Sequence, residues 1–501
     1  MTALSVATLT LDGGDLREVI VRVSALTGGR GLVAVDPEGA SYPELRDRVY
    51  AGITNSGLTW PDRNIIISVA PLGQWSVPPG TDLAVAAAVL TAAGHLRFTA
   101  LSETMFFGEV GLDGAVRPVP ETLALVAAAA ERGYHTVVVP AANARQAMLV
   151  PGVRVIALNA LSDLLNWATT GVEPALPDPS EDRARATDGP AEAGPAQLPA
   201  SISPAGFALE VAAAGRHHLG VTAAPQLPVT VIGDYVRSLM PDLDDRQAVE
   251  VSALHAAAGH PVDALVRRPP LQSPGTATSV ASMIGGRRPG LVSLAHRGVL
   301  LLHDAPDFAP EVLHALRQPL ERRIVQVARA RGTSTFPADA QLIATSRPCP
   351  CSTAHSRGDG CSAPARRRYR NQLHPISDRL DIAVTVEPAA SGESCARDST
   401  ATVAARVAAV REAAAERWAK EGFSTNTEVS NDVLRRPRFR IPASATDGLR
   451  RMVETGQLST RGYGRVLRLA WTVSDLRGAG HPDRDAVDTA VELYRPRRHT
   501  I

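Results

Sequence analysis

From Leu16 to Leu165 short β-branched runs alternate with Ala/Leu-rich stretches. Ile65–Val69 has the length and residue types of a strand, and Asp82–Ala93 those of a buried helix. Glu121–Arg132 predicts another helix, and Thr136–Val139 the strand that follows it. This is an α/β pattern. From Gly171 to Pro204 the chain turns to Pro, Ala, Glu, Asp and Ser, with little that could form a core, and reads as a linker. Apolar runs then return. Gly298–Leu302 is a strand with no polar interruption, the form preferred in parallel sheets, and Gln341–Thr345 and Leu380–Val386 are two more. After a second polar break, Glu387–Thr400, the period becomes helical from Val403 to Leu493. One helix there begins at Ser459 or Thr460 as N-cap and ends near Gly478. No internal repeat is present.

The expected organisation is therefore an α/β domain over 1–170, a linker over 171–204, and a second, parallel-sheet α/β domain over 205–390. A short linker follows over 391–402, then a helical domain over 403–501. Composition alters this little. Hydrophobic residues make up 45% and charged residues 21%, an ordinary globular mixture. Aromatics are only 4%, so the cores must be built from Ala, Val and Leu. A net charge of +1 excludes a uniformly basic coat but leaves room for local basic patches. Four cysteines are no disulfide framework and fit a reducing compartment. Met1–Thr10 lacks the features of a signal peptide, and no apolar stretch approaches the ~20 residues of a membrane span. A cytoplasmic protein with no membrane contact is expected.

The central region carries landmarks in a fixed order. Gly298-Val-Leu-Leu-Leu-His-Asp304 has the form of a Walker B strand. Arg317-Gln-Pro-Leu-Glu321, Phe336-Pro-Ala, Ala344-Thr-Ser-Arg-Pro-Cys-Pro-Cys351 and Asp378-Arg-Leu-Asp381 follow. Together they resemble the magnesium-chelatase-like AAA+ family in its ComM/YifB branch. Gly57-Leu-Thr-Trp-Pro61 and the segment from Gly108 to Pro118 resemble the branch's leading domain, and Leu458-Ser-Thr-Arg-Gly-Tyr-Gly-Arg465 its C-terminal lid. The resemblance implies a Lon-protease-like N-terminal α/β domain, an AAA+ parallel-sheet α/β domain and a C-terminal helical lid. It also implies ATP and Mg as cofactors, a homo-oligomeric, hexameric ring, and action on DNA in recombination or transformation.

The residues at the expected nucleotide site depart from that pattern. A working phosphate loop reads GxxxxGK[ST]. Its glycines let backbone N–H groups wrap the phosphates, its Lys neutralises them, and its hydroxyl binds magnesium. Here the matching register is Ala223-Ala-Pro-Gln-Leu-Pro-Val-Thr230. Ala223, Gln226 and Pro228 replace glycines, Val229 replaces the lysine, and only Thr230 is kept. Pro228 has no N–H to offer. Each lost charge-assisted bond costs roughly 1.5–3 kcal/mol. The Asp-Glu pair of Walker B becomes His303-Asp304, the sensor position is Arg347, and Pro274-Gly275 stands ahead of Thr276 where the family has a His pair. Thr230, His303, Asp304 and Arg465 are the expected remnant ATP/Mg site, with Asp304 and Arg379 the equivalents of catalytic groups. His303 is equally readable as a strand-end residue without a ligand role, and Arg379 and Arg465 as ordinary ion-pairing residues. ATP binding is expected to be weak or lost. A working branch-migration motor with an unusual loop is the alternative.

Three further features bear on function. Pro78–Ala84 offers no nucleophilic Ser and Arg117–Leu123 no Lys, so a Lon-like proteolytic dyad is not expected. Cys349, Cys351 and Cys361 with His355 make a possible zinc set, which would favour a zinc-stabilised scaffold; free loop thiols are the plainer reading. Cys395 has no assigned role. Arg366, Arg367, Arg368 and Arg370 surround Tyr369, a pattern that fits either a nucleic-acid backbone or a solvated face.

Overall fold

The computed structural model describes residues 4–12, 15–26, 32–35, 42–58, 60, 64–70, 79–96, 103–176, 196–329, 332–349, 361–386 and 398–494. The chain forms two compact units. One comprises Met1–Gly189 with Asp244–Val266 and Val327–Thr335, the other Pro190–Leu243, Arg267–Gln326 and Phe336–Ile501.

In the first unit, β1 (Leu4–Asp12), β2 (Asp15–Leu26), β3 (Leu32–Val35) and β4 (Asn64–Ala70) form a sheet of order β1-β2-β4-β3. β1 and β2 are an antiparallel hairpin, and β3 joins β4 in parallel. The helix Asp82–Ala92 packs against β1 and β2. Its residues from Asp82 to Leu90 are all buried, which the small Ala86-Ala-Ala88 run permits by letting the helix lie close to the strands. β5 (Thr104–Phe106), β8 (Thr136–Pro140) and β9 (Arg154–Leu158) make a parallel sheet of order β5-β8-β9, while β6 (Glu109–Val110) and β7 (Val116–Arg117) pair antiparallel. The predicted helix and strand at 121–139 are present as Thr122–Glu131 and β8.

The second unit is built on a five-stranded parallel sheet. β10 (Leu219–Ala223), β11 (Leu271–Gln272), β12 (Val299–Leu302), β15 (Gln341–Ser346) and β16 (Ile382–Val386) stand in the order β11-β12-β15-β10-β16. β13 (Ile324–Arg329) and β14 (Gly332–Pro337) form a separate two-stranded ribbon, of which Val327–Thr335 belongs to the first unit. Val299–Leu302 is buried throughout, as its unbroken apolar run predicts for a strand covered on both faces. Helices Gly206–Gly215 and Val231–Leu239 pack on one core with the helical region that ends the chain. That region consists of Thr400–Trp418, Asn431–Leu434, Ala443–Glu454, Thr460–Leu476 and Arg484–Tyr494. Ser459 caps the fourth of these, accepting from the Gly462 N–H at 3.1 Å, and Gly478 takes a left-handed φ of 69° just beyond its end.

Order extends further than composition suggested. The stretch read as a linker up to Pro204 ends in a 3-10 turn, Ala200–Ala205, with Ile202 and Ala205 fully buried in the core. Thr400 Oγ1 donates to the Ala196 carbonyl at 3.1 Å, tying that turn's approach to the helical region. The helix expected from Val403 starts at Thr400, because Ser399 caps it by accepting from the Thr402 N–H. Residues 177–195, within the expected linker, lie outside the described residues.

Candidate nucleotide site

In an open parallel sheet, ligands bind beyond the carboxyl ends of the strands. Three such ends converge here. β10 leads into the loop Ala224–Thr230, β12 into His303-Asp304, and β15 into Arg347. β15 lies between β12 and β10, so the three segments are neighbours. Gly233 brings the helix after the loop down onto β12; a Cβ there would stand 2.7 Å from Leu301 Cδ2.

The loop itself is folded inward. The Leu227 N–H donates to the Ala224 carbonyl at 3.0 Å, and the Val229 N–H to the Leu227 carbonyl at 2.8 Å. Leu227 is buried and Val229 packs against the core. Pro225 and Pro228 have no N–H. A loop whose donors close on its own carbonyls presents little to a phosphate. Thr230 stands at the start of the helix Val231–Leu239 without capping it through its side chain.

Arg347 decides the charge of the site. Its Nε lies 3.2 Å from Asp304 Oδ1, close but not aligned for a hydrogen bond. Its Nη2 donates to Asp307 Oδ2 at 2.5 Å. Asp304 is held in a left-handed backbone conformation (φ 47°), and its N–H donates to Thr345 Oγ1 at 3.2 Å. Burial opposes the charge on Arg347, but Tyr369, Asp304 and Asp307 outweigh it and raise its pKa. His303 is half-buried and its Nδ1 is enclosed without a partner among the described residues. Burial lowers its pKa, against a weaker opposite pull from Asp304, so the ring is neutral near pH 7.

Three family descriptions match the chain. "Magnesium chelatase, subunit ChlI" covers residues 201–394, "Magnesium chelatase, subunit ChlI C-terminal" covers 397–495, and "Subunit ChlI of Mg-chelatase" covers 21–143. An uncharacterized protein of Mycobacterium tuberculosis is 38% identical over 98% of both chains. The uncharacterized protein YifB of Escherichia coli is 29% identical over 96% of this chain and 95% of its own. The competence protein ComM of Haemophilus influenzae is 28% identical over 92% of this chain and 91% of its own. The chain belongs to the magnesium-chelatase family, in its ComM/YifB branch.

The AAA+ α/β fold and helical region expected of that branch are both present. The site residues read from the sequence separate into two groups. Thr230, His303 and Asp304 gather at the carboxyl ends of the strands with Arg347. Arg379 and Arg465 do not join them. Arg465 contacts Asp381 at 3.4 Å and the Leu380 carbonyl at 3.3 Å, at the amino end of β16. Arg379 pairs with Glu321 at 3.1 Å. Both line a cavity of about 390 Å³ that also touches His218 and Gln341, at the amino ends of β10 and β15. The sheet therefore stands between these arginines and the loop that precedes Val231.

The basic run lies on the helix Ala363–Asn371. Arg367 and Arg368 are exposed and Arg366 is half-buried, while nothing is described of the Arg370 side chain. Tyr369 is buried, at 4% exposure. The Arg347 guanidinium lies over its ring at 5.7 Å, and the Arg347 N–H donates to its hydroxyl at 3.4 Å. Of the possible zinc set, Cys351 and His355 lie outside the described residues, as does Cys395. Among the described residues no group of three or more His, Cys, Asp or Glu is placed to hold a metal. No helix among them is long and apolar enough to cross a membrane. Sequence reasoning missed Asp307 and the role of Tyr369. The aromatic inside an arginine run was the available signal for the latter.

Proposed function

We propose that this protein is a ComM/YifB-type member of the magnesium-chelatase family in which ATP hydrolysis has been lost, and which acts as a DNA-binding assembly component. The observation that carries this reading is the contact of Arg347 with Asp304, beside a loop that lacks lysine. ATP with Mg does not fit the residues present. His303 stands where the family has its metal-holding Asp, and Asp304, the carboxylate left in the pair, already faces a guanidinium. Asp307 adds a second acidic group, and no loop lysine offsets the charge of a polyphosphate. No catalytic step is therefore assigned.

The Haemophilus relative is a competence protein, which supports a link to DNA uptake or recombination. The exposed arginines of the helix Ala363–Asn371 supply the charge such a role needs. A homo-oligomeric ring and cytoplasmic residence follow from the family resemblance. Because Arg379 and Arg465 lie across the sheet from their own loop, any part they take at a nucleotide site would be at that of a neighbouring copy.

Calorimetric titration of the full chain with MgATP, together with phosphate release in the presence of forked DNA, tests the reading. Neither binding below millimolar concentration nor turnover is expected. Tight binding with turnover that Asp304→Ala abolishes would show a working motor instead.

A further inference from the structure

The helical region carries a second concentration of positive charge, apart from the helix Ala363–Asn371. Arg435-Arg-Pro-Arg-Phe-Arg440 places four arginines in six residues, and all four are exposed. The turn that presents them is fixed. The Phe439 and Arg440 N–H groups both donate to the Arg436 carbonyl at 2.9 Å, and the Arg436 N–H to that of Val433 at 3.0 Å. Phe439 and Ile441 are buried, while Arg438 before them and Arg440 between them are exposed. Phe439 packs against the fully buried Trp418 with ring centroids 4.6 Å apart and ring planes tilted by 51°, which anchors the turn to the core. The arginines are therefore held in place before any partner arrives, which lowers the ordering cost of binding.

Two of them have carboxylate partners. Arg435 pairs with Asp432 at 3.3 Å, both well exposed, and Arg436 pairs with Glu421. An exposed pair such as Arg435–Asp432 contributes about 0–1 kcal/mol, while Glu421 is itself half-buried against Arg436. Arg438 has no carboxylate partner among the described residues. It lies over the Phe439 ring at 5.3 Å and reaches a shallow cavity of about 440 Å³. Arg417, Trp471, His481 and Glu416 also line that cavity. Trp471 is 2% exposed, and its indole N–H is buried with no acceptor among the described residues. Arg417 is held by Asp475, so of the two arginines lining this cavity Arg438 is the one without a carboxylate among the described residues.

We infer that Arg435, Arg436, Arg438 and Arg440 form a second docking surface, whose partner is the phosphodiester backbone of a nucleic acid. A run of phosphates matches closely spaced guanidinium groups, each able to grip two oxygens. An anionic membrane surface matches less well, because binding there also needs apolar side chains to insert. None of the exposed large hydrophobic residues falls between residues 398 and 494. This surface lies outside the helix Ala363–Asn371 on which the proposed function rests, so the two can be tested separately.

The test is fluorescence anisotropy of the full chain with a fluorescein-labelled 30-base-pair duplex and the matching single strand, across a NaCl series. Arg438→Ala/Arg440→Ala is expected to weaken binding about ten-fold or more near 0.1 M salt, and to reduce the slope of log K against log [NaCl] by about 2. Arg438→Lys/Arg440→Lys should keep most of the slope, which separates charge from folding, and Arg438→Gln/Arg440→Gln repeats the loss should the alanine variant melt early. Unchanged affinity and slope in the alanine and glutamine variants would overturn the inference. If the wild type binds phosphatidylserine vesicles but neither DNA probe, it is also overturned. An Arg366→Ala/Arg367→Ala/Arg368→Ala variant reports on the other surface. Loss there alone refutes the inference and spares the proposed function; loss only in the Arg438/Arg440 variants supports the inference and removes the helix Ala363–Asn371 as the source of the charge that holds DNA.

Discussion

Arg347 faces Asp304 at 3.2 Å while its guanidinium lies over the ring of Tyr369, so one side chain joins the end of β12 to the basic helix. The residue after β15 thus serves as a fixed internal cation at the place where a nucleotide and its metal would bring removable charge. Replacing Arg347 with Ala is expected to free the basic helix from this anchor. Asp304 and Asp307 are partly solvated, which limits the loss to about 1–2 kcal/mol. Urea denaturation measures it, and hydrogen exchange should quicken in Ala363–Asn371 while the β12 amides keep their protection. Equal exchange in both proteins would show that the helix is held by other contacts.

The loop between β10 and its helix predicts a non-additive response to repair. Val229→Lys alone should not create MgATP binding. The Val229 N–H would still close on Leu227, Pro228 would still lack a donor, and Arg347 would still neutralise Asp304. Gln226→Gly/Pro228→Gly/Val229→Lys combined with Arg347→Asn restores donors, charge and the free carboxylate together. Calorimetry should detect binding only for the combined variant. A signal from Val229→Lys alone would mean that the loop opens more easily than its hydrogen bonds indicate.

Much of this was legible in the sequence, for physical reasons. Gly298–Leu302 has no polar residue to compete with burial on both faces, and it became a central strand. Ser459 ahead of a helical period gave its cap correctly, because the side chain satisfies an N–H that nothing else reaches. The departures at Ala223–Thr230 can be read residue by residue, since the chemistry of phosphate binding sits in one continuous segment. The charge balance cannot. Arg347 meets Asp304 and Asp307 only because β15 lies beside β12, which is a fact of the sheet. Tyr369 sits in an arginine run that looks wholly solvated, and only the helix's period turns it inward. Ala200–Pro204 looked like linker because Ile202 alone is too little to announce a core contact.

Trp418 should be the most costly single truncation in the second unit. It is fully buried, its Nε1 donates to Asn426 Oδ1 at 2.8 Å, and the rings of Phe439 and Trp471 lie 4.6 and 5.5 Å away. Trp418→Ala is expected to cost about 3–5 kcal/mol, measured by denaturant titration. Trp418→Phe should cost less, with part of the loss coming from the unpaired Asn426 carbonyl, about 1–3 kcal/mol. Since Phe439 rests on this ring, the alanine variant should also loosen the Arg438–Arg440 turn. A loss below about 1 kcal/mol would contradict the packing described.

His218 predicts how stability changes with pH. Its Nδ1 accepts the Leu342 N–H at 3.0 Å, a bond that requires that nitrogen to be unprotonated. Burial pushes its pKa down to about 4; Asp381 and Asp339 pull it up, and Arg465 and Arg323 push it down. In the unfolded chain the imidazole titrates near 6.5. Above that pH neither state holds the proton, and the contribution to stability is complete. As pH falls from about 6.5 towards 4, the unfolded chain binds a proton that the folded chain refuses, so stability declines. The slope approaches about 1.4 kcal/mol per pH unit for one proton. Asp381, held low despite its burial by His217, His218 and Arg465, loses its own contribution at lower pH, which separates the two. Melting temperatures between pH 7.5 and 4.5 should fall for the wild type and flatten for His218→Gln. Parallel curves would remove His218 as the cause.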